Sequence, residues 1–314
     1  MTAHEYFGCR VPPFDSRPDP SVFFAGEAYE EAVSTLEFAA TQRKGCCLIL
    51  GESGSGKSTV LRQAIHRLRT TTHILLVQSI GQPRDALVGV AYVAGVDTPP
   101  GSQHFDEWIA QTGREPHPRL LLVDDADELP AGGWRKIVAH LASSCATDHP
   151  VTIALCGAPT IRDGLTKPRL MRITRRVFRT CRLPRLTPQG VRKYIETRLR
   201  CAGADPRRVF TADAVAMIFR MTRGVPAFVN QVCDNAMLEA FSEDRKPVSA
   251  EDVARAVYAI AGGGSGARRE LDDGRSSPRA TVTMRLPECV ESPTTPESPS
   301  AVRLASEASS RGAS

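Results

Sequence analysis

The segment from Gly51 to Ser58 has the residue types and the spacing of a Walker A phosphate-binding loop. Its pattern is Gly51-x-x-x-x-Gly56-Lys57-Ser58, and it lies between an apolar run and a helical pattern. Glycines let successive backbone N–H groups turn toward one point, and the start of the following helix adds its dipole. Lys57 is expected to reach the β- and γ-phosphates of a nucleotide, and the Ser58 hydroxyl to bind Mg²⁺. The predicted nucleotide-contacting residues are Gly51, Glu52, Ser53, Gly54, Ser55, Gly56, Lys57, Ser58 and Thr59.

Two adjacent acids, Asp124 and Asp125, follow the apolar run from Leu120 to Val123. An apolar strand that ends in an acid is typical of a Walker B motif, although two solvated acids at a strand end are the plainer alternative. Asp124 is expected to hold Mg²⁺ through its water shell, and Asp125 stands where a general base orients the attacking water. The sequence therefore predicts Lys57 and Asp125 as catalytic residues, Ser58 and Asp124 as the metal site, and ATP and Mg²⁺ as cofactors.

A basic stretch extends from Arg162 to Arg208 and holds 15 Lys and Arg residues against 3 Asp and Glu residues. The net charge of the whole chain is only +5, so the remainder is net negative. Three interpretations stay open: contact with DNA phosphates, a finger that reaches the nucleotide of a neighbouring subunit, or a solvated surface. Arg176 is the candidate catalytic residue of the stretch, with Arg175 as its alternative.

Alternating strand-like and helix-like segments must position these side chains. Apolar runs at residues 46–50, 73–77, 120–123 and 151–156 predict strands that are buried on both faces of a parallel sheet, and helical patterns lie between them. Strands that alternate with helices predict a three-layer α/β sandwich. Ligands of such sheets bind at the carboxyl ends of the strands, where the glycine loop and the acid pair both fall.

Four segments are predicted along the chain. Residues 1–43 form a proline-rich lead and a helix that packs on the core, and residues 44–185 form the α/β core. Residues 186–261 form a helical lid, with Thr187, Thr211 and Ser249 as candidate N-caps. Residues 262–314 are Gly-, Ser- and Pro-rich, and we expect them to be disordered because they contain too little apolar surface to fold.

Composition argues against several protein classes. No apolar run approaches the roughly 20 residues that span a bilayer, and no basic segment followed by an apolar one opens the chain. Nine cysteines occur without a C-x-x-C pair or a spaced Cys/His cluster. We therefore expect free thiols, no structural metal, no integral membrane segment and a cytoplasmic location.

Further short motifs lie outside the glycine loop and the acid pair. They are Tyr6-Phe7-Gly8, Pro13-Phe14, Pro18-Asp19-Pro20, Leu121-Leu122-Val123-Asp124-Asp125-Ala126, Gly157-Ala158-Pro159 and Gly224-Val225-Pro226-Ala227-Phe228-Val229-Asn230. Together with the Walker A loop they resemble the ExeA-like (general secretion pathway protein A) group of AAA+ ATPases, from Tyr6 to about Ala240. That group is similar to transposition ATPases of the TniB and TnsC type. The resemblance implies a P-loop core with a lid, ATP with Mg²⁺, and a homo-oligomer with the nucleotide at the subunit interface.

Three positions depart from the pattern of that group. Asp125 replaces the usual Glu, Ala227 replaces an Arg of the lid motif, and Ala158 replaces a Gln after the fourth strand. All three bear on hydrolysis and its coupling to the lid, whereas phosphate binding is untouched. The sequence therefore predicts an ATPase with slow hydrolysis, coupled to the assembly or regulation of a partner complex.

Two alternatives remain at this point. One is a nucleotide-dependent DNA-binding or scaffold protein with negligible turnover, and the other is a P-loop small-molecule kinase, which would need substrate residues on a short lid. The process that the protein serves is not indicated, since secretion, pilus assembly, transposition and signalling all use such cores.

Overall fold

Four strands of the structure are buried almost completely, which follows from their continuous apolar sequence. They are β1 (Cys46–Gly51), β2 (His73–Gln78), β5 (Arg119–Asp124) and β6 (Val151–Gly157). In this computed structural model the described residues are 1–15, 22–79, 87–95, 101–112, 115–143, 151–166 and 170–262, without the side chains of residues 142, 143 and 172. The predicted tail, apart from residue 262, and the Pro18-Asp19-Pro20 motif lie outside them.

Three further strands complete a seven-stranded sheet in the order β4-β3-β2-β5-β6-β1-β7. Strands β2, β5, β6, β1 and β7 (Val177–Leu183) are parallel, as predicted. Strands β3 (Val88–Tyr92) and β4 (Gly101–His104) add an antiparallel extension at one edge. The predicted α/β sandwich with a parallel sheet is confirmed, and this antiparallel edge, whose strands are short and partly exposed, is added to it.

Helices cover the sheet and build a helical region after β7. Those of the first 166 residues are α1 (Ala3–Tyr6), α2 (Glu27–Thr41), α3 (Lys57–Leu68), α4 (Phe105–Thr112), α5 (Ala131–Ser143) and α6 (Ile161–Leu165). The others are α7 (Met171–Thr174), α8 (Pro188–Cys201), α9 (Ala212–Thr222), α10 (Pro226–Ser242) and α11 (Ala250–Ile260). Residues Met1–Gly264 form one structural unit.

The predicted caps of the helical region are confirmed. Thr187 accepts a hydrogen bond from the N–H of Gly190, and Thr211 accepts one from the N–H of Ala214. Ser249 and Asp252 form a reciprocal capping box at the start of α11. Each cap satisfies N–H groups that a helix leaves unpaired at its first turn, so the helix starts are fixed by local sequence.

The N-terminal segment contacts the helical region as well as the sheet. Helix α2 packs against α3 and β7. Ahead of α2, the ring of Tyr6 packs edge-on against Phe241 at 5.3 Å, and its hydroxyl donates to Asp244 at 2.8 Å. The segment therefore links the sheet to α10.

Gly224, between α9 and α10, is held against the chain that enters α8. Its φ is +74°, and a Cβ atom there would lie 2.0 Å from the backbone oxygen of Leu186. Leu186 N also donates to Gly224 O at 2.8 Å. We expect Gly224→Ala to lower the free energy of unfolding by at least about 2 kcal/mol, because it adds both a left-handed strain and a backbone clash.

Thermal or urea unfolding measures this effect, and Gly164→Ala in α6 is the matched control because its Cβ would meet no atom within 4 Å. Equal stability of the two variants would show that the contact between Gly224 and Leu186 is not needed for folding.

Candidate functional site

The glycine loop connects β1 directly to α3 and meets the helical region. Gly54 has a φ of +76°, and a Cβ atom there would lie 2.7 Å from the Cβ of Ala227. The N–H of Ala227, in the first turn of α10, donates to Gly54 O at 3.1 Å. The loop is thus shaped by glycine and is contacted at the same residue by the helical region from α8 to α11, which is the segment predicted as a lid and keeps that name below.

Lys57 is buried at the first position of α3, and its ammonium group lies at the mouth of the loop. Its Nζ donates to Gly51 O at 3.1 Å and to Glu52 O at 3.2 Å. A cation held by two carbonyl oxygens in a loop followed by a helix N-terminus is suited to bind a phosphate chain. The phosphates of a nucleotide therefore fit the residues present.

Ser58 and Asp124 meet as predicted for the metal site. Ser58 Oγ donates to Asp124 Oδ2 at 2.6 Å, and Asp124 is buried at the end of β5. In the part of the chain that the structure describes, no group of three or more His, Cys, Asp or Glu side chains could hold a metal alone. Mg²⁺ would therefore need phosphate oxygens in addition to these two side chains.

Asp125 lines a cavity beside the glycine loop, and its backbone conformation is unusual. Its φ is +48° and its ψ is 48°, a left-handed region that Asp tolerates better than most residues. Burial raises the pKa of its carboxyl group, the charge of Asp124 adds to this effect, and Lys57 opposes it. A raised pKa makes a carboxylate a stronger base, and the backbone conformation gives a local reason for Asp in place of Glu.

A cavity of about 290 Å³ joins the loop to the N-terminal segment and the lid. Its walls are Val22, Phe23, Phe24, Tyr29, Ser53, Gly54, Gly56, Lys57, Ser58, Thr59, Asp125, Tyr194, Arg198, Pro226, Ala227 and Asn230. The structure thus brings most of the predicted loop residues together with Asp125, whereas Gly51, Glu52 and Ser55 line a second cavity, which shares Pro226 with the first.

Aromatic residues that the sequence did not predict form one wall of the nucleotide-sized cavity. Tyr29 donates its hydroxyl to Ser55 O at 2.8 Å, and its ring packs edge-on against Phe24. Phe24 also packs edge-on against Tyr194 of α8 at 5.6 Å. The signals available in the sequence were the Phe23-Phe24 pair and Tyr29 shortly before the glycine loop.

Arg198 and Asn230, which belong to the lid, both contact Tyr194 of this aromatic wall. The Arg198 guanidinium donates to Asp15 O and lies over the Tyr194 ring at 5.6 Å. The Tyr194 hydroxyl donates to Asn230 Oδ1 at 2.9 Å. Arg198 belongs to the basic stretch, yet it is buried at the cavity rather than exposed to solvent.

Asp127 links the turn after β5 to the end of β6. Its Oδ1 accepts a hydrogen bond from the N–H of Ala158 at 3.0 Å. Position 158 therefore contributes its backbone to the site, while its methyl side chain contributes no polar group.

Arg176 is not brought to the other predicted catalytic residues. Its carbonyl oxygen accepts from Cys46 N at 3.0 Å, at the start of β1, whereas Gly51 ends the same strand. Since β1 and β7 are parallel, Arg176 lies at the amino ends of these strands, whereas the glycine loop lies at their carboxyl ends. It cannot contact a nucleotide bound in its own chain.

The described part of the basic stretch is distributed over several elements of the fold. It covers α6, α7, β7 and α8, and several of its arginines pair with acids. The ion pairs are Arg179 with Glu31, Arg185 with Glu52, Arg200 with Glu196 and Arg208 with Asp205. Glu31 and Glu52 lie outside the stretch and partly compensate its charge excess in space, whereas Glu196 and Asp205 are already counted within it.

The amino-acid sequence of the chain is similar to those of known proteins. Residues 40–165 match the family model of the AAA domain. The chain is 28% identical over 269 residues to general secretion pathway protein A of Aeromonas hydrophila, with 82% of this chain and 48% of that protein covered. The resemblance predicted from sequence is confirmed, and the chain spans about half the length of that curated relative. The relation to TniB and TnsC stays a prediction.

Solved structures show the fold. The Thermotoga maritima RuvB Holliday junction branch migration motor matches with a TM-score of 0.53 at 14% identity, covering 76% of this chain and 70% of that chain. The Aeropyrum pernix ORC2 protein matches with a TM-score of 0.56 at 14% identity, covering 79% and 70%. Pyrobaculum aerophilum Cdc6p matches with a TM-score of 0.55 at 14% identity, covering 78% and 69%. The predicted P-loop AAA+ fold is confirmed, and in the described residues no helix has the length and apolarity of a membrane span.

Proposed function

We propose, from the AAA+ fold and the cavity just described, that this chain binds ATP with Mg²⁺ and hydrolyses it slowly. The observation that carries the proposal is that one cavity is lined by Lys57, Ser58 and Asp125 on one side and by Tyr194 and Arg198 on the other. A nucleotide held there would contact the glycine loop and the lid together, so its binding would bias the lid position.

Each residue has a distinct role in this proposal. Lys57 would bind the phosphate chain, and Ser58 and Asp124 would hold the metal, which supplies neutralisation of phosphate charge. Asp125 would accept a proton from the attacking water, a role that its raised pKa favours. The aromatic wall formed by Phe24, Tyr29 and Tyr194 would receive the base.

Slow turnover is supported by two positions near the cavity. The methyl group of Ala227 lies next to Gly54, at the position where the ExeA-like ATPases carry an Arg. The polar group that Ala158 offers toward the site is its backbone N–H, which already donates a hydrogen bond to Asp127. The site therefore has few side chains that could report the phosphate state or stabilise charge during hydrolysis. We propose that nucleotide binding is coupled to the assembly or regulation of a partner complex in the cytoplasm.

We also propose a homo-oligomer in which Arg176 reaches the nucleotide of a neighbouring copy. Its place at the opposite edge of the sheet from the glycine loop supports a role between subunits rather than within one. We expect ATP turnover per chain to rise with protein concentration, and Arg176→Ala to remove that rise.

ATPase rates measured across a hundred-fold range of protein concentration check this expectation, with Arg162→Ala, an exposed residue of the same stretch, as the matched control. A constant rate per chain would contradict the subunit role of Arg176.

The alternative is a nucleotide-dependent DNA-binding or scaffold protein with negligible turnover, which the departures at Ala227 and Ala158 favour. Binding to duplex DNA should then fall steeply with salt, with a log–log slope of roughly −0.9 for each phosphate neutralised. The pairing of Arg179, Arg185 and Arg200 with acids reduces the charge available for such contacts.

A further inference from the structure

An ion pair joins the glycine loop to the segment that connects the core with the lid. Arg185 lies between β7 and α8, and its Nε and Nη2 both donate to Oε2 of Glu52, at 3.0 and 2.6 Å. Glu52 is the first loop residue after β1. The pair therefore connects the phosphate-binding loop with the chain that enters the lid.

The Glu52 end of the loop is the end at which a terminal phosphate would lie. Lys57 Nζ is bonded to Gly51 O and Glu52 O, and the lysine of this loop type contacts the β- and γ-phosphates. A carboxylate beside that position opposes an added negative charge. Arg185 offsets this charge in the absence of a triphosphate.

Space for Arg185 to exchange Glu52 for a phosphate lies beside this ion pair. A second cavity, of about 270 Å³, is lined by Glu52, Ser55, Arg182, Arg185 and Pro226 among others. Ser55 Oγ is buried there without a hydrogen-bond partner in the described structure. The cavity is thus lined by two arginines and contains an unsatisfied hydroxyl beside the loop, which favours an anionic ligand group.

The ion pair between Arg185 and Glu52 is weak enough for Arg185 to exchange Glu52 for a phosphate. The Arg185 and Glu52 side chains are 46% and 52% exposed, and ion pairs this open to water contribute little to stability. A phosphate group carries more charge than a carboxylate and accepts more hydrogen bonds from a guanidinium.

Movement of Arg185 would be transmitted to the lid. The next residue, Leu186, donates its N–H to Gly224 O at 2.8 Å, and Gly224 precedes α10. Val225 and Pro226, which follow Gly224, also line the second cavity. A displacement at residue 185 therefore reaches the start of α10 through one hydrogen bond.

We propose that Arg185 is the residue that distinguishes ATP from ADP: it leaves Glu52 for the terminal phosphate and so signals a triphosphate to the lid. This inference rests on the nucleotide site proposed above. It assigns to the core–lid connection a selectivity for triphosphate that Ala227, with its methyl side chain, cannot supply.

Calorimetric titration of the full chain with Mg²⁺–ATP and Mg²⁺–ADP tests the proposal. We expect Arg185→Ala to reduce ATP affinity by about 10-fold while ADP affinity changes by less than about 2-fold. Arg179→Ala is the matched control and should leave both affinities within about 2-fold, because Arg179 forms a similarly exposed ion pair, with Glu31, and lines neither of the two cavities. Glu52→Gln should raise the preference for ATP, because it weakens the hold on Arg185.

Three results would overturn the inference: equal loss of both nucleotides in Arg185→Ala, no loss of either, or no gain in ATP preference in Glu52→Gln. Melting temperatures of the nucleotide-free variants show whether a loss of binding comes from misfolding. Failure of the wild-type chain to bind both nucleotides would overturn the proposed function itself. Binding of both by the wild type, with an unchanged ratio in Arg185→Ala, would overturn the selectivity role alone.

Discussion

Lys57→Ala is expected to reduce ATP affinity by at least about 100-fold, which is the largest binding effect that the structure supports. Lys57 is buried, with 8% of the residue exposed, and its ammonium group donates to the carbonyl oxygen of Gly51 in the glycine loop. Its removal leaves the phosphate chain in a confined site without its directly facing cation. Truncation of one partner of a buried charged contact costs about 2–5 kcal/mol, which corresponds to this loss of affinity.

Calorimetry with Mg²⁺–ATP measures the change, and Lys193→Ala on the exposed face of α8 is the matched lysine control. The hydrogen bonds of the Lys57 ammonium group in the described structure go to the loop carbonyls of Gly51 and Glu52, so the fold should persist in the variant. ATP affinity within a few-fold of wild type would contradict the assignment of this loop as the phosphate site.

Asp125→Asn is expected to lower ATP turnover by at least about 100-fold with little change in ATP affinity. A general base contributes about 10²–10⁴-fold to a rate, and asparagine cannot accept the proton from water. Asparagine matches aspartate in size and tolerates the left-handed backbone at this position, so the loop geometry is retained.

Steady-state phosphate release measures turnover, and calorimetry measures affinity in the same samples. Glu128→Gln is the matched control, because Glu128 is exposed after the same strand and does not line the cavity. If Glu128→Gln loses activity and Asp125→Asn keeps it, the base has been assigned to the wrong acid.

The parts of the fold that were predictable are those whose sequence carries its own signal. Residues 46–50 of β1 and 120–123 of β5 are apolar runs that lead into the glycine loop and the acid pair, so both strand and site followed from the same pattern. Thr187 and Ser249 marked helix starts for a similarly local reason.

Edge strands were harder to predict because their burial is set by tertiary position. Strand β7 has the sequence Val177–Leu183 with exposed arginines, and β4 has exposed polar residues. Neither strand shows the continuous apolar run of a central strand. They form because neighbouring strands offer backbone partners, which a local pattern cannot display.

The aromatic wall of the cavity was also beyond local sequence patterns. Phe24 and Tyr29 belong to the N-terminal segment, whereas Tyr194 lies far away in the sequence, and the wall forms only when the N-terminal segment packs on α8. Likewise, the basic stretch suggested one surface, whereas Arg198 turned inward and Arg179 paired with Glu31. Charge counted along a sequence does not give the direction of each side chain.

The construction of the cavity from three separate segments also affects how long a ligand would stay. Phe24 belongs to the N-terminal segment, Gly54 to the loop and Tyr194 to the lid, and all three line the same space. A nucleotide bound there would contact all three segments, so its residence time would depend on the movements of these segments as well as on the phosphate contacts. The hydrogen bond from Ala227 N to Gly54 O holds the helical region to the loop, and the one from Tyr29 OH to Ser55 O holds the N-terminal segment to it, so we expect the loss of either bond to speed nucleotide release.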